Sequence, residues 1–280
     1  MFYKFHKQSG TFANNSVRKL SKSLNTKKIG HSGILDPLAS GLMIVATDFE
    51  TKLLEFIDNK NKTYIATCLF GYTNDSLDTD LPLIQIDTPK ITKEMFEEAI
   101  QKAKAFKTQI PPIYSAKKID GKKAYEYARN NEKVELRPQQ IEVYKYQLLN
   151  FDYSKQEAKV LIEVSEGTYI RTLLNDTAKL VNSCCVMSSL VRTKIGEIEL
   201  DNLSENQTQK IDFWDLISMP TIKLMPDMFI KLSNGNPIQL NTKMPNTKAL
   251  MINSLGLVAS VGEIKENIFY PKKTALERIL

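Results

Sequence analysis

Asp36 is the residue of this sequence best placed to do chemistry. It is the first carboxylate in the chain and follows seven Lys or Arg residues. Gly30 and Gly33 precede it and Pro37 follows it, so the local sequence favours a shaped turn outside a helix. A carboxylate presented in a basic region could serve as a general base or a nucleophile toward a polyanion. The competing interpretation is an ordinary turn-forming or helix-capping Asp beside a proline.

Basic charge is concentrated in two stretches of a chain whose net charge is only +6. Residues 1–35 carry seven basic and no acidic side chains, and residues 101–137 carry ten basic and four acidic ones. Either stretch alone is typical of a solvated lysine-rich surface. Two of them, one leading into the Asp36 turn, favour a nucleic-acid-binding surface.

Composition argues against several other classes. The 280 residues, 42% of them hydrophobic, suffice for one large domain with a small second unit. No apolar run approaches the length of a membrane span and no signal peptide is evident, so we expect a cytoplasmic protein without membrane contact. Three cysteines and two histidines can form neither a disulfide framework nor a tetrahedral zinc set, so we predict no structural metal.

The elements that must position Asp36 follow from hydrophobic periodicity. A helix capped by Asn14 or Asn15, with Val17, Leu20 and Leu24 on one face, precedes the turn. Strands are predicted over 42–47, 63–70, 141–151, 158–164 and 186–192, and helices over 51–57, 92–104, 124–130 and 169–181. This order predicts a mixed α+β body.

The end of the chain has a different pattern. From about residue 225, short apolar stretches alternate with turn signals, which predicts extended segments over 228–232, 249–253, 257–261 and 268–270. Pro220 and Pro226 place a boundary within 219–226. We therefore predict a large domain over 1–220, with a basic insertion at about 105–137, and a small β-rich domain over 225–280.

Five sequence blocks occur in a family-specific order. They are Gly30-His31-x-Gly33-x-Leu35-Asp36-Pro37-x-Ala39-x-Gly41, Lys62-x-Tyr64, Pro111-Pro112-x-Tyr114-Ser115-Ala116-x-Lys118-x-x-Gly121-x-x-x-Tyr125-x-x-Ala128-Arg129, Gly167-Thr168-Tyr169-Ile170-Arg171-Thr172-Leu173 and Leu190-x-Arg192-Thr193-x-x-Gly196. Together they resemble the signature of the TruB family of tRNA pseudouridine synthases over about two thirds of the chain.

The resemblance implies a fold and an activity. The fold would be a pseudouridine synthase-like mixed, largely antiparallel sheet flanked by helices, with a small C-terminal PUA-like domain. The activity would convert a uridine in the T-loop of tRNA, at the position called 55, to pseudouridine without a cofactor or metal. The implied partner is the tRNA T-arm, bound by a monomeric enzyme.

Asp36, Tyr64 and Arg171 are the implied catalytic residues. Asp36 would either attack the sugar or base covalently or remove a sugar proton on a glycal path, and both routes remain open. Arg171 would keep Asp36 ionised and oriented through a bidentate ion pair; the alternative is an exposed residue at a helix start. Tyr64 would stack on the target base and could act as a base at C5; the alternative is a packed strand aromatic.

The implied substrate-binding residues are His31, Lys62, Lys118, Arg129, Tyr169 and Leu190. His31 would fill the gap left when the target uridine is extruded from the loop, where the alternative is a surface histidine. Tyr169 and Leu190 would line the uridine pocket, with a core aromatic as the alternative for Tyr169. Lys118 and Arg129 would contact phosphates along the RNA arm.

Three departures from the family pattern accompany these matches. Ile34 stands where the family has Thr, Gln8 stands where it has Pro, and Asp48-Phe49-Glu50 replaces its Gly-x-Ala. The runner-up function is a tRNA-binding or tRNA-folding protein of the same family with reduced or lost catalysis. A third is a general basic RNA-binding module without a defined site, in which Asp36→Asn would behave as the wild type does.

Overall fold

A computed structural model describes residues 1–115, 117–130, 132 and 134–279. Ala116 of the third block and Asn131 and Lys133 of the predicted insertion lie outside the described residues. The helices are α1 (Ala13–Ser23), α2 (Lys93–Ala103), α3 (Ala124–Arg129), α4 (Ile170–Lys179) and α5 (Phe229–Ser233). Short 3₁₀ segments cover Asp48–Phe56, Phe213–Asp215, Pro226–Met228 and Leu276–Arg278.

The strands fall into two large sheets and three two-stranded ladders. In chain order they are β1 (Phe2–Lys7), β2 (Ile29–His31), β3 (Ser40–Thr47), β4 (Lys62–Phe70), β5 (Tyr72–Thr73), β6 (Ile84–Gln85), β7 (Thr108–Gln109), β8 (Lys118–Ile119), β9 (Lys122–Lys123), β10 (Gln139–Gln140), β11 (Val143–Asp152), β12 (Glu157–Val164), β13 (Cys185–Ile195), β14 (Ile198–Glu199), β15 (Thr208–Ile211), β16 (Thr221–Lys223), β17 (Ile238–Gln239), β18 (Thr247–Ile252), β19 (Val258–Lys265) and β20 (Ile268–Thr274). No helix of the described chain is long and apolar enough to cross a membrane.

Nine strands form the larger sheet, in the order β11-β12-β4-β13-β3-β1-β15, with β2 beside β3 and β14 beside β13. In the described part of the chain its neighbours run antiparallel except β13 and β3, which run parallel and pair Val191 with Ser40 and Arg192 with Gly41. The predicted α+β fold with a mixed, largely antiparallel sheet is confirmed.

The parallel junction depends on Gly41. Its φ is +113°, and an added Cβ would lie 2.3 Å from the carbonyl oxygen of Arg192. Only a residue without a side chain lets the two strands approach this closely. The junction brings the start of β3, and with it the preceding Asp36 loop, beside Arg192.

Helix α1 begins earlier than its predicted cap. The N-cap is Phe12, so the prediction of Asn14 or Asn15 is wrong. Burial of Ala13 and Ser16 extends the inward face by a turn toward the N-terminus, and tertiary packing therefore decides the helix start over capping preference. Helix α2 begins as predicted, with the Thr92 hydroxyl accepting a hydrogen bond from the Met95 N–H at 3.3 Å.

The second sheet has the order β16-β18-β19-β20-β17 and begins at Thr221, inside the predicted boundary. The predicted extended segment over 228–232 is wrong, because the chain there is helical. Pro226 occupies the first helical turn, and Met228 and Leu232 are buried at the i, i+4 spacing of a helix.

The two sheets share one hydrophobic cluster. Phe49, Leu53 and Phe56 of the 3₁₀ segment Asp48–Phe56 pack with Leu250 and Val261 of the second sheet. That segment, nine residues of 3₁₀ turns, replaces the α-helix predicted over 51–57. The division into domains over 1–220 and 225–280 stays a prediction.

Candidate active site

Asp36 lies on the loop between β2 and β3 and faces Arg171 in the first turn of α4. Its Oδ2 is 3.0 Å from the Arg171 Nε. The Asp36 side chain is 35% exposed, whereas that of Arg171 is 4% exposed. The buried guanidinium thus orients a carboxylate that still reaches the solvent-filled cleft.

The predicted bidentate pair between these residues is wrong, because Arg171 divides its donors. Its Nη1 donates to the Ser76 carbonyl at 2.6 Å and lies 3.4 Å from Oδ2 of Asp78, and its Nη2 donates to the Tyr114 carbonyl at 3.0 Å. Buried Asp78 and the two carbonyls engage Nη1 and Nη2, and Nε is the nitrogen that meets Asp36.

Sequence reasoning gave no role to the loop that carries Asp78. The Asp78 Oδ1 accepts hydrogen bonds from the Ser76 hydroxyl at 2.6 Å and the Asp80 N–H at 3.1 Å. The Asn74 amide donates to the Asp78 carbonyl at 2.7 Å, and Leu77 has a left-handed φ of +58°. A run of Asn, Asp and Ser after a buried strand was the available signal, since such residues form hydrogen-bonded turns.

A cleft of about 440 Å³ opens above Asp36. It is lined by most of the residues implied by the resemblance, namely Asp36, Lys62, Tyr64, Tyr169, Arg171 and Leu190. Tyr64 and Leu190 are 6% exposed and form an apolar wall. The sequence blocks therefore converge on one concave site, which combines an ionisable group with a surface for a flat ring.

Arg192 is a second buried arginine whose role sequence reasoning missed. It is 1% exposed, and its Nε donates to the Leu42 carbonyl at 2.6 Å and its Nη2 to the Gly33 carbonyl at 3.2 Å. It therefore fixes the backbone of the loop that carries Asp36. The signal was a basic residue inside an apolar strand, within a block already singled out.

Tyr64 pairs with Arg192 across β4 and β13. Burial raises the pKa of Tyr64, and this effect exceeds the opposing effect of the Arg192 charge. The phenol is therefore neutral at pH 7.

The positive charge of Arg192 contributes to lowering the pKa values of both Lys62 and His31. Burial first, and then Arg192, lowers the pKa of Lys62 to about 8, while Glu166 lies 3.8 Å away. The same two causes lower the pKa of His31, so its imidazole is neutral at pH 7. The His31 Nδ1 accepts a hydrogen bond from the Gly33 N–H at 3.3 Å. His31 sits beside the Asp36 loop but is not among the residues that line the cleft.

Hydrogen bonds of two glutamines connect the basic insertion to the rim of the cleft. Gln109 bonds both backbone groups of Tyr169, at 2.9 and 3.0 Å. Gln139 donates to the Gly167 carbonyl at 2.8 Å and accepts from Lys117 at 3.0 Å. Lys117 thereby lines the cleft.

Lys118 and Arg129 are exposed on β8 and at the end of α3 and lie outside the cleft lining. The Arg129 guanidinium packs over the Tyr125 ring, 5.3 Å from its centroid. Their predicted phosphate contacts stay predictions. Within the described residues, no group of three or more His, Cys, Asp or Glu side chains could hold a metal ion.

Two solved structures contain chains with this fold. A chain in the crystal structure of a Cbf5-Nop10-Gar1 complex superposes with a TM-score of 0.64 and 17% identity, covering 99% of this chain and 86% of that one. A chain in the structure of an H/ACA RNP bound to a substrate RNA containing 2′-deoxyuridine gives a TM-score of 0.62 at 16% identity, covering 98% and 84%. At 17% and 16% identity, these two likenesses concern the fold alone.

The chain belongs to the TruB family of pseudouridylate synthases. The model of that family's N-terminal domain matches residues 21–170. The chain is 37% identical over 264 residues to tRNA pseudouridine synthase B of Mesomycoplasma hyopneumoniae, covering 94% of this chain and 79% of that protein. It is 34% identical to the protein of the same name from Lactobacillus gasseri, covering 97% of each. The resemblance predicted from the five blocks is confirmed.

Proposed function

We propose that this protein converts the uridine at position 55 in the T-loop of tRNA to pseudouridine, with Asp36 as the essential carboxylate. The observation that carries the proposal is the accessible Asp36 held 3.0 Å from the buried Arg171 inside an aromatic-walled cleft. Family membership supports pseudouridine formation, and the names of the relatives support tRNA as the substrate.

The reaction breaks the bond from C1′ to N1 and joins C1′ to C5, so the base is reattached with no atoms gained or lost overall. Asp36 begins either route as a carboxylate, by covalent attack or by removing a sugar proton. Arg171 supplies the adjacent positive charge, and its Nε, 3.0 Å from Oδ2, orients the carboxylate. The base would lie against Tyr64 and Leu190, which exclude water from one side of the cleft.

The surroundings of the cleft suit an extruded nucleotide. Lys62 and Lys117 line it and can meet phosphates, and Lys118 and Arg129 extend that positive surface outward. A neutral His31 beside the catalytic loop suits a space-filling contact. We further propose that the enzyme acts as a monomer and that residues 225–280 add RNA contacts.

The decisive experiment compares the wild type with Asp36→Asn on unmodified tRNA and on its isolated T-arm, and maps pseudouridine. We expect one product site with the wild type and a rate at least about 100-fold lower for Asp36→Asn, because the acceptor of the proton or the nucleophile is lost. Asp75→Asn, at an exposed carboxylate near Asp78, is the matched control and should retain the wild-type rate.

Folded wild-type protein that yields no pseudouridine would defeat the proposal. If such protein still bound tRNA, the runner-up function of tRNA binding or folding would account for the retained surface.

A further inference from the structure

Phe12 occupies a position where folding alone does not favour it. It is the N-cap of α1, yet its side chain makes no capping hydrogen bond. Ser, Thr, Asp or Asn would accept a hydrogen bond from a backbone N–H of the first helical turn there, and Phe cannot. The ring is also 60% exposed, so burial does not compensate. The Phe12 ring is therefore available for contact with a ligand.

A groove of about 680 Å³ lies beside Phe12. Its wall includes Gln8, Asn15, Arg18, Lys19 and Asn206, and none of the described residues that line it is a carboxylate. Arg18 and Lys19 are exposed, and neither forms an ion pair within the described chain. The groove thus offers an aromatic face and two uncompensated positive charges.

The groove adjoins the catalytic loop. The Gly10 N–H donates to the Pro37 carbonyl at 2.9 Å, and the Ser9 hydroxyl donates to the Leu38 carbonyl at 2.6 Å. The segment that leads into Phe12 therefore braces the loop that carries Asp36. Helix α1 then extends away for about 16 Å over its 11 residues.

We propose that this groove binds a second part of the RNA substrate, with one unstacked base against Phe12 and neighbouring phosphates on Arg18 and Lys19. The inference rests on the proposed RNA-modifying function and assigns a contact outside the cleft. Aromatic stacking combined with a carboxylate-free basic groove is the chemistry that holds unpaired nucleotides. Charge complementarity favours RNA over an acidic or apolar protein segment, because RNA supplies both a ring and phosphates.

Phe12→Ser separates binding from folding. Serine at the N-cap restores a favoured capping residue, so the melting temperature should equal or exceed that of the wild type. Loss of one stacked base should weaken binding of unmodified tRNA about 5- to 100-fold, and the loss should be found in the KM for tRNA. A Phe12→Ser variant that melts as expected and binds tRNA as tightly as the wild type overturns the proposal.

The double variant Arg18→Ala/Lys19→Ala tests the phosphates. The slope of log affinity against log salt should become shallower by about 1 to 2. Lys159→Ala is the matched control, since Lys159 is exposed on β12, outside both the groove and the cleft, and should leave slope and affinity at wild-type values. A wild-type slope in the double variant also overturns the proposal.

Failure of this inference is distinguishable from failure of the proposed function. Pseudouridine formation by the wild type and its loss in Asp36→Asn test the function. Direct tRNA binding by the groove variants tests the second contact and needs no turnover. If the wild type forms pseudouridine and the groove variants bind tRNA normally, the proposed function stands and RNA binding in the groove is excluded.

Discussion

Arg171 contacts two carboxylates, the partly exposed Asp36 and the buried Asp78. This shared contact predicts how a substitution of Asp78 affects stability and activity. Asp78→Asn keeps the size of the side chain but removes a buried negative charge 3.4 Å from Nη1. We expect a loss of about 1–3 kcal/mol in unfolding free energy. We also expect kcat to fall at least about 10-fold, because a guanidinium relieved of Asp78 turns toward Asp36 and changes its orientation.

Asp75→Asn is again the control, since Asp75 is exposed in the same loop. Chemical denaturation and single-turnover rates measure the two effects. Equal rates for Asp78→Asn and the wild type would show that Asp36 is oriented without the shared arginine.

The lowered pKa of Lys62 predicts how tRNA affinity changes between pH 7 and 9. Its lowered pKa, about 8, means that it is charged at pH 7 and largely neutral at pH 9. A phosphate attracts only the charged form, so tRNA affinity should fall as the pH rises through 8. Lys62→Arg stays charged over this range and should flatten the decline.

The comparison is made by titrating tRNA at pH 7, 8 and 9 at constant ionic strength. Lys7 has a pKa of about 8 as well, lowered by its burial beneath the loop that carries Asp36, and it is unchanged in Lys62→Arg. An equally steep decline in Lys62→Arg would therefore contradict the assignment to Lys62.

At the scale of elements, the parallel junction of β3 and β13 depends on the absence of a side chain at Gly41. Gly41→Ala places a Cβ 2.3 Å from the Arg192 carbonyl oxygen at a positive φ. We expect a loss of about 2–5 kcal/mol in unfolding free energy, measured in urea, from steric overlap and backbone strain together.

Gly256→Ala isolates the strain from the overlap. Gly256 also has a positive φ, +74°, but no atom lies within 4 Å of an added Cβ. Gly256→Ala should therefore lower the unfolding free energy by only about 1–2 kcal/mol. Similar losses at the two positions would mean that the strands can separate at the junction without much penalty.

The elements were predictable where the signal is local. Helix α2 follows from its apolar period and its Thr92 cap, and β4 follows from its alternation. The helical conformation over 228–232 was not predictable in this way, because a five-residue apolar run fits a strand or a helix equally well. Pro226, which starts the helical turn, favours the helix.

The residues of the candidate site were likewise predictable only in part. The blocks located Asp36, Tyr64 and Arg171, which line one cleft. The sharing of Arg171 with Asp78 could not be predicted, because it depends on a loop that lies about 95 positions away in the sequence. Non-local pairing of this kind has no periodicity to reveal it.

At the scale of the whole molecule, Glu50 connects the 3₁₀ segment Asp48–Phe56, which follows β3, with the 3₁₀ segment Leu276–Arg278, which follows β20. Both its carboxylate oxygens meet Arg278, at 2.9 and 3.1 Å. Burial alone would raise the pKa of Glu50, but hydrogen bonds from Arg278 and the N-terminal amine lower it below its usual value. The pair therefore stabilises the fold above the unfolded-state pKa, and this stability is lost as the pH falls through the lower folded-state value.

Glu50→Gln should accordingly lower the unfolding free energy by about 1–2 kcal/mol at pH 7, with the difference from the wild type shrinking below about pH 4. Thermal unfolding at both pH values measures this. Glu55→Gln is the control, because the Glu55–Lys273 pair is exposed and should contribute under about 1 kcal/mol. A difference for Glu50→Gln that persists undiminished at low pH would contradict the ionic account.

The parallel junction also sets when the site can exist during synthesis. Gly33 and its Arg192 partner are 159 positions apart, so the loop that carries Asp36 lacks this support until β13 has left the ribosome. Contacts this far apart in sequence close slowly. The basic residues of 1–35 emerge long before that, so a nascent chain attracts RNA before it has a site with which to modify it.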